Sequence, residues 1–183
     1  MKIFDLLSQP EGRRLEFKST LPANVDLAKT VVAFANDAGG EIYIGIDDKS
    51  RDVVGIDDNE YPQMEEHVSN LIYDRCYPAI LPEISLFRIK EKAVVRVKVY
   101  RGSQPPYYLK NEGKKRGTYI RIGSNNRRAD AEIILELEHR RRNVSFDSES
   151  TVKRCLETLK TEGVLVRKGA TKNEKWIIMK ESN

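Results

Sequence analysis

Ile42, Ile44 and Ile46 alternate with Tyr43 and Gly45, the period-two pattern of a strand with one apolar face. Gly45 leaves the opposite face bare, so a second backbone or a ligand can approach closely there. Asp47 and Asp48 then open a polar turn, and Val53-Val54 form a second short apolar run. The pattern predicts a hairpin whose tip carries carboxylates. Upstream, Val25, Ala28, Val32 and Ala35 repeat at helical spacing, with Val31 and Phe34 widening the stripe. A largely buried helix is expected there, capped by Asn24 or Asp26 and ended by Gly39 and Gly40, which supply the positive φ of a C-cap.

The same reading extends along the chain. Residues 2–8 (Ile3, Leu6, Leu7) suit a short amphipathic helix that Pro10 stops. From Glu11 to Lys18, strand spacing turns Leu15 and Phe17 inward and Arg14, Glu16 and Lys18 outward. Asp57-Asp58-Asn59 marks a turn. A helix follows from about Tyr61 to Arg75, with Met64, Val68, Leu71 and Ile72 inward. Pro78 and Pro82 break the chain, and residues 84–89 and 93–99 read as antiparallel strands across Lys90-Glu91-Lys92. Pro105-Pro106-Tyr107-Tyr108 is a rigid extended segment, residues 111–117 a basic loop, and 118–123 a last strand before a helix from Ala129 to Arg142. The fold class expected is α+β: a mixed, mainly antiparallel sheet of about six strands packed with three or four helices, without the βαβ alternation of a doubly wound fold.

Residues 1–145 form one domain on this reading and 146–183 a small appendage. Ser148 or Ser150 can cap a helix bearing Val152, Cys155, Leu156 and Leu159, which Gly163 ends. Residues 164–167 and 175–178 then suit a hairpin around Gly169. Helix followed by basic hairpin is the order of recognition helix and wing, so a partial winged helix is expected. Only about 35 residues are available and two further helices are not evident, which leaves a plain helix-hairpin as the alternative.

Composition narrows the chemistry. At 183 residues with 39% hydrophobic side chains there is material for one core. No run approaches the roughly 20 apolar residues of a membrane span. The start lacks the apolar stretch of a leader, so a cytoplasmic protein with no membrane partner is expected. Cys76 and Cys155 form no Cys-x-x-Cys pair, and with only His67 and His139 beside them they read as reduced, buried thiols. Charge is uneven: residues 1–109 carry 14 basic against 17 acidic side chains, net −3, and residues 110–183 carry 18 against 11, net +7. A polyanion would meet the second half; the alternative is a solvated basic surface. Lys114, Lys115 and Arg116 lie in a glycine-flanked loop able to follow a backbone. Tyr119 and Arg121 share one face of the last strand, with Ile120 and Ile122 on the other, and Arg127 and Arg128 extend the patch.

Several spaced motifs occur in order over residues 8–142: Glu11-x4-Glu16-Phe17-Lys18, then Ala33-Phe34-Ala35-Asn36-x2-Gly39-Gly40-x3-Ile44-Gly45-Ile46-Asp47-Asp48, then Pro105-Pro106-Tyr107, then Tyr119-Ile120-Arg121-Ile122-Gly123-Ser124. Together they resemble the Schlafen AlbA-like domain, found in bacterial transcriptional-regulator-like and helicase-related proteins and in animal Schlafen proteins. The resemblance implies nucleic-acid binding. Bacterial members often continue into an ATPase module and a winged helix. This sequence has no Gly-x4-Gly-Lys-Ser/Thr loop and no room for that module before the tail, so ATP hydrolysis is not expected. In animal Schlafen nucleases three carboxylates act together, and residue by residue these fall on Glu11, Glu16 and Asp48, which would hold Mg²⁺ or Mn²⁺ beside a cleaved phosphodiester. Lys18, on the same strand face as Glu16, could hold the phosphate. Glu11 and Glu16 converge on Asp48 only if Gly12 interrupts the strand. The function expected is a nucleic-acid-binding protein, a DNA-binding transcriptional regulator. A metal-dependent endoribonuclease and a protein-interaction module are the alternatives, and a homo-oligomer stays open.

Overall fold

The computed structural model describes residues 6–145, 156–161, 165–168 and 175–178. In chain order the elements are β1 (Leu15–Lys18), α1 (Asn24–Asn36), β2 (Gly40–Ile44), α2 (Tyr61–Arg75), β3 (Cys76–Tyr77), β4 (Glu83–Ile89), β5 (Lys92–Val99), β6 (Tyr108–Leu109), α3 (Gly113–Gly117), β7 (Tyr119–Ile122), β8 (Asn125–Arg128) and α4 (Ala131–Ser145), with β9 (Leu165–Lys168) and β10 (Lys175–Ile178) beyond. The protein is α+β. Its main sheet has four strands in the order β1-β2-β5-β4, with β1 parallel to β2 and the other pairs antiparallel.

The expected sheet of about six strands is therefore divided: β3 pairs with β6 and β7 with β8 as separate two-stranded ladders. Prolines explain part of this. Pro78 and Pro82 follow β3, and Pro105 and Pro106 precede β6; each removes an N–H that a longer ladder would need. β7 and β8 are joined through Gly123 at φ 60° and pair with each other.

Apolar side chains cover both faces of the main sheet. One core joins α1 and α2 to Ile42, Ile44, Val95, Val97 and Val99; the other gathers Leu6, Leu15, Phe17, Tyr43, Ile46, Val53, Ile89 and Val94. The single apolar face expected for Ile42, Ile44 and Ile46 is thus split, because Gly45, at φ 105°, forms a bulge. The N–H groups of Gly45 and Ile46 both donate to the Lys18 carbonyl, at 2.8 and 3.1 Å, and Ile46 emerges on the other side. The close approach foreseen at Gly45 is real: a Cβ there would lie 3.3 Å from the Gly55 backbone. The expected hairpin reduces to one bridge, Ile46 to Val53, since β2 spends its ladder on β1 and β5.

α1 starts at Ala23 without a side-chain cap, so neither Asn24 nor Asp26 serves as one. Its end follows the sequence: Gly39, at φ 73°, donates its N–H to the Phe34 carbonyl at 2.9 Å. Basic residues 113–117 are a short helix rather than a loop.

The chain divides into two compact units, 1–141 and 142–183. In the second, residues 156–161 are helical and β9 pairs antiparallel with β10. A helical segment and one ladder do not support the winged-helix reading. Ser148, Ser150, Val152, Cys155, Gly163 and Gly169 lie outside the described residues, as do residues 2–5 of the expected first helix.

Burial pushes the Cys76 thiol up to about 12, with Lys110 and Arg75 opposing. In a Cys155→Ser background, a disulfide reagent at pH 8 should leave Cys76 unmodified in the native protein and label it on unfolding. Prompt native labelling would contradict this packing.

Candidate nucleic-acid interface

Because both faces of β1 are covered, Glu16 is buried (8% exposed) rather than turned to solvent. It sits opposite Ile42 in the β1–β2 register, on the face that α1 and β7 cover. Across it lies Arg121 of β7, whose side chain is 1% exposed. The guanidinium donates to Glu16 Oε2, to the Gly12 carbonyl at 3.1 Å and to Asn126 Oδ1 at 2.8 Å, and it lies over the Phe34 ring at 5.2 Å. Asn126 passes the network on by donating to the Thr30 hydroxyl at 2.8 Å. An arginine taken out of water needs these partners, since one left unpaired there would be costly.

This network floors an open cleft of about 530 Å³ whose lining includes Glu11, Glu16, Lys18, Lys29, Asn125 and Asn126. Lys18 Nζ is 2.8 Å from Glu16 Oε1, so both oxygens of Glu16 face cations. Glu11 accepts the Phe17 N–H at 2.6 Å, so the carboxylate turns back onto the strand that Gly12 and the Gly12–Leu15 bridge set off from it. The structure brings Glu11, Glu16 and Lys18 to one cleft.

Asp48 does not line that cleft and is exposed at the turn. Its neighbour Asp47 builds the turn instead, accepting the N–H groups of Ser50 and Lys49 at 2.8 and 2.9 Å, which hold its carboxyl below the usual range. What this turn offers Glu11 is Arg51, with Nη1 4.0 Å from Oε1 and the guanidinium 4.5 Å over the Phe17 ring. Among the described residues no group of three or more His, Cys, Asp or Glu side chains could hold a metal ion. As arranged, the donors do not fit the three-carboxylate centre that the resemblance implies: two of them already answer cations or a backbone N–H, and Asp48 is not among the residues that line their cleft.

The second set of expected residues divides by exposure. Tyr119 and Arg121 point inward and Ile122 is 54% exposed, the reverse of the facing expected for β7. Tyr119 belongs to the helix-side core, and its hydroxyl donates to Glu112 Oε2 at 3.1 Å. Neither residue is therefore displayed to a partner. Lys114, Lys115, Arg116, Arg127 and Arg128 are exposed. Lys114 pairs with Glu138 at 2.5 Å and Arg128 with Glu112 at 3.3 Å. The Arg128 guanidinium is held more firmly protonated by the Tyr119 hydroxyl and by Glu112. Lys115, Arg116 and Arg127 have no carboxylate partner among the described residues.

Two positioning residues escape the sequence reading. Arg51, at φ 64°, carries no local signal beyond the turn. Asn36, 2% exposed, donates to the Tyr107 and Tyr119 carbonyls at 2.8 and 2.9 Å and accepts the Tyr107 N–H at 2.6 Å. It ties α1 to the proline segment and to β7. Its signal was an amide on the buried stripe of α1, where no apolar role suits it.

The model of the family described as Schlafen, AlbA_2 matches residues 11–130. A protein of Ureaplasma parvum named as an uncharacterized ATP-binding protein is 32% identical over 91 residues, 48% of this chain and 26% of that relative. The chain thus spans about a quarter of that relative's length. Among solved structures, the DIP2311 protein of Corynebacterium diphtheriae superposes with a TM-score of 0.51 at 20% identity, covering 69% of this chain and 24% of that one, a likeness of fold. The N-terminal domain of a RecG-related protein from Nitrosomonas europaea is 28% identical with a TM-score of 0.49, covering 68% of this chain and 91% of that one.

Proposed function

The chain belongs to the Schlafen AlbA_2 family, and from that premise we propose that it is a nucleic-acid-binding protein, a DNA-binding regulator that grips the phosphate backbone through α3 and β8. One observation carries this reading: Lys115, Arg116 and Arg127 are exposed, without a carboxylate partner among the described residues, on one contiguous piece of structure. α3 runs through Thr118 into β7, where Ile120 stands opposite Arg127 in the register. Exposed, uncompensated cations on α3 and β8 attract a polyanion and release its counterions when they bind. The cleft adds Lys18 and Lys29, but its carboxylates are committed to ion pairs and to a strand N–H, so binding has more support than cleavage.

The test is a salt titration of duplex DNA binding by fluorescence anisotropy. Reversing Lys115, Arg116 and Arg127 to Glu should weaken binding to all sequences alike. The slope of log K against log salt should flatten by about 1 for each lost contact. An unchanged slope would place the contact surface elsewhere and overturn the assignment.

A further inference from the structure

Away from the cleft, two tyrosines on paired strands meet, a third on α2 is tied to the same strand through Lys110, and none of the chemistry above uses them. Tyr73 on α2 is 63% exposed and Tyr77 on β3 is 51% exposed, both unusually open for large rings. Tyr77 stands opposite Tyr108 of β6, with ring centroids 5.3 Å apart and planes tilted by 49°. The two-residue ladder explains the display. Cys76 and Leu109, the other matched pair, are buried in the core, so alternation drives the two tyrosines to the outer side. Lys110, the next residue, donates its ammonium to the Tyr73 carbonyl at 2.8 Å and lies 5.5 Å from the centre of that ring. Its N–H in turn donates to the Arg75 carbonyl at 2.8 Å. The Lys110 backbone is thus fixed by its bond to Arg75, and its ammonium is held on the Tyr73 carbonyl beside that ring.

We propose that Tyr73, Tyr77 and Tyr108, with Lys110, form a stacking surface for an unpaired stretch of the bound nucleic acid. The proposal rests on the nucleic-acid reading above and adds which form of strand is held. A duplex hides its base faces, whereas an unpaired strand can lay them on exposed rings while cations meet its phosphates. Position supports that occupant. Only Asn111 and Glu112 separate Lys110 from α3, which bears Lys115 and Arg116, so rings and backbone-gripping cations share one stretch of chain. A purely apolar partner would gain nothing from the ammonium set over the Tyr73 ring.

The experiment compares an oligothymidine of about 20 nucleotides with a DNA duplex of equal length, both labelled, against the full chain and its variants. The native chain should bind both. Tyr73→Ala with Tyr77→Ala should weaken the single strand roughly tenfold or more and leave the duplex within about twofold. Tyr73→Phe with Tyr77→Phe, which keeps the rings, should restore single-strand affinity. Should the alanine pair not fold, as judged by circular dichroism, Tyr73→Leu with Tyr77→Leu keeps the apolar bulk without a π face and must show the same selective loss. Equal binding of the single strand by folded ring-less variants overturns the stacking surface while leaving the basic-surface reading intact. A native chain that binds neither probe overturns both. If removal of the rings abolishes self-association instead, read by sedimentation velocity, while both affinities stand, the patch is a protein contact and the proposal fails.

Discussion

Glu16→Leu should lower stability by about 3–5 kcal/mol, the cost typical of removing one partner from a buried ion pair. The arginine left behind is 1% exposed and would keep only the Gly12 carbonyl and Asn126 Oδ1. For a domain of this size that corresponds to roughly 10–15 °C in melting temperature, measurable by calorimetry. Glu16→Leu combined with Arg121→Met should recover most of the loss, because both charges then leave the apolar site together. A single variant that melts within about 2 °C of the native protein would mean that water reaches Arg121 and that the pair is not sealed. The double variant also tests function. Since Arg121 is covered, removing it with its partner should leave duplex affinity within about twofold, as contacts to phosphate come from exposed cations.

Asn36→Ala should cost about 4 kcal/mol. The substitution strands two buried carbonyls and one N–H, each worth about 1–3 kcal/mol when left unpaired, with partial relaxation reducing the sum. Asn36→Asp is the sharper variant. It keeps an acceptor for the Tyr107 N–H but turns a carboxylate oxygen toward the Tyr107 and Tyr119 carbonyls, so near neutral pH it should destabilise at least as much as alanine. Hydrogen exchange locates the effect: the Tyr107 amide should lose its protection in the alanine variant well before the amides of β2 and β5. If the Tyr107 amide stays as protected as those of β2 in that variant, the amide is not the clasp between α1, the proline segment and β7.

The helix Tyr61–Arg75 and the antiparallel pair β4–β5 were legible because their signals are local. Val68, Leu71 and Ile72 repeat within one helix, and the tight link of Lys90 and Glu91, both at positive φ, joins adjacent strands. The end of α1 was equally readable, since a left-handed Gly39 acts on residues only five positions away. Of the motifs that mark the family, one runs from the end of α1 through β2, and the others lie on and just before β1, in the proline segment and on β7. The site was less readable. An alternating pattern says that a strand has two faces, not how many will be covered, and for β1 both are. Glu16 and Lys18 accordingly looked like a solvent pair, and Arg121 like a displayed cation.

By itself, then, the chain determined where its long helices and the strands of its main sheet run, because hydrogen bonding and side-chain period act over a few residues. It also determined that α3 and β8 are rich in cations. Only the tertiary structure decided which charged groups are covered and which stay exposed. It laid β7 over the Glu16 side of β1, joined Glu16 to Arg121 across 105 residues, and placed Arg51 beside Glu11. A charge's role depends on what covers it, and for Glu16 that cover comes from β7, more than a hundred residues along the chain.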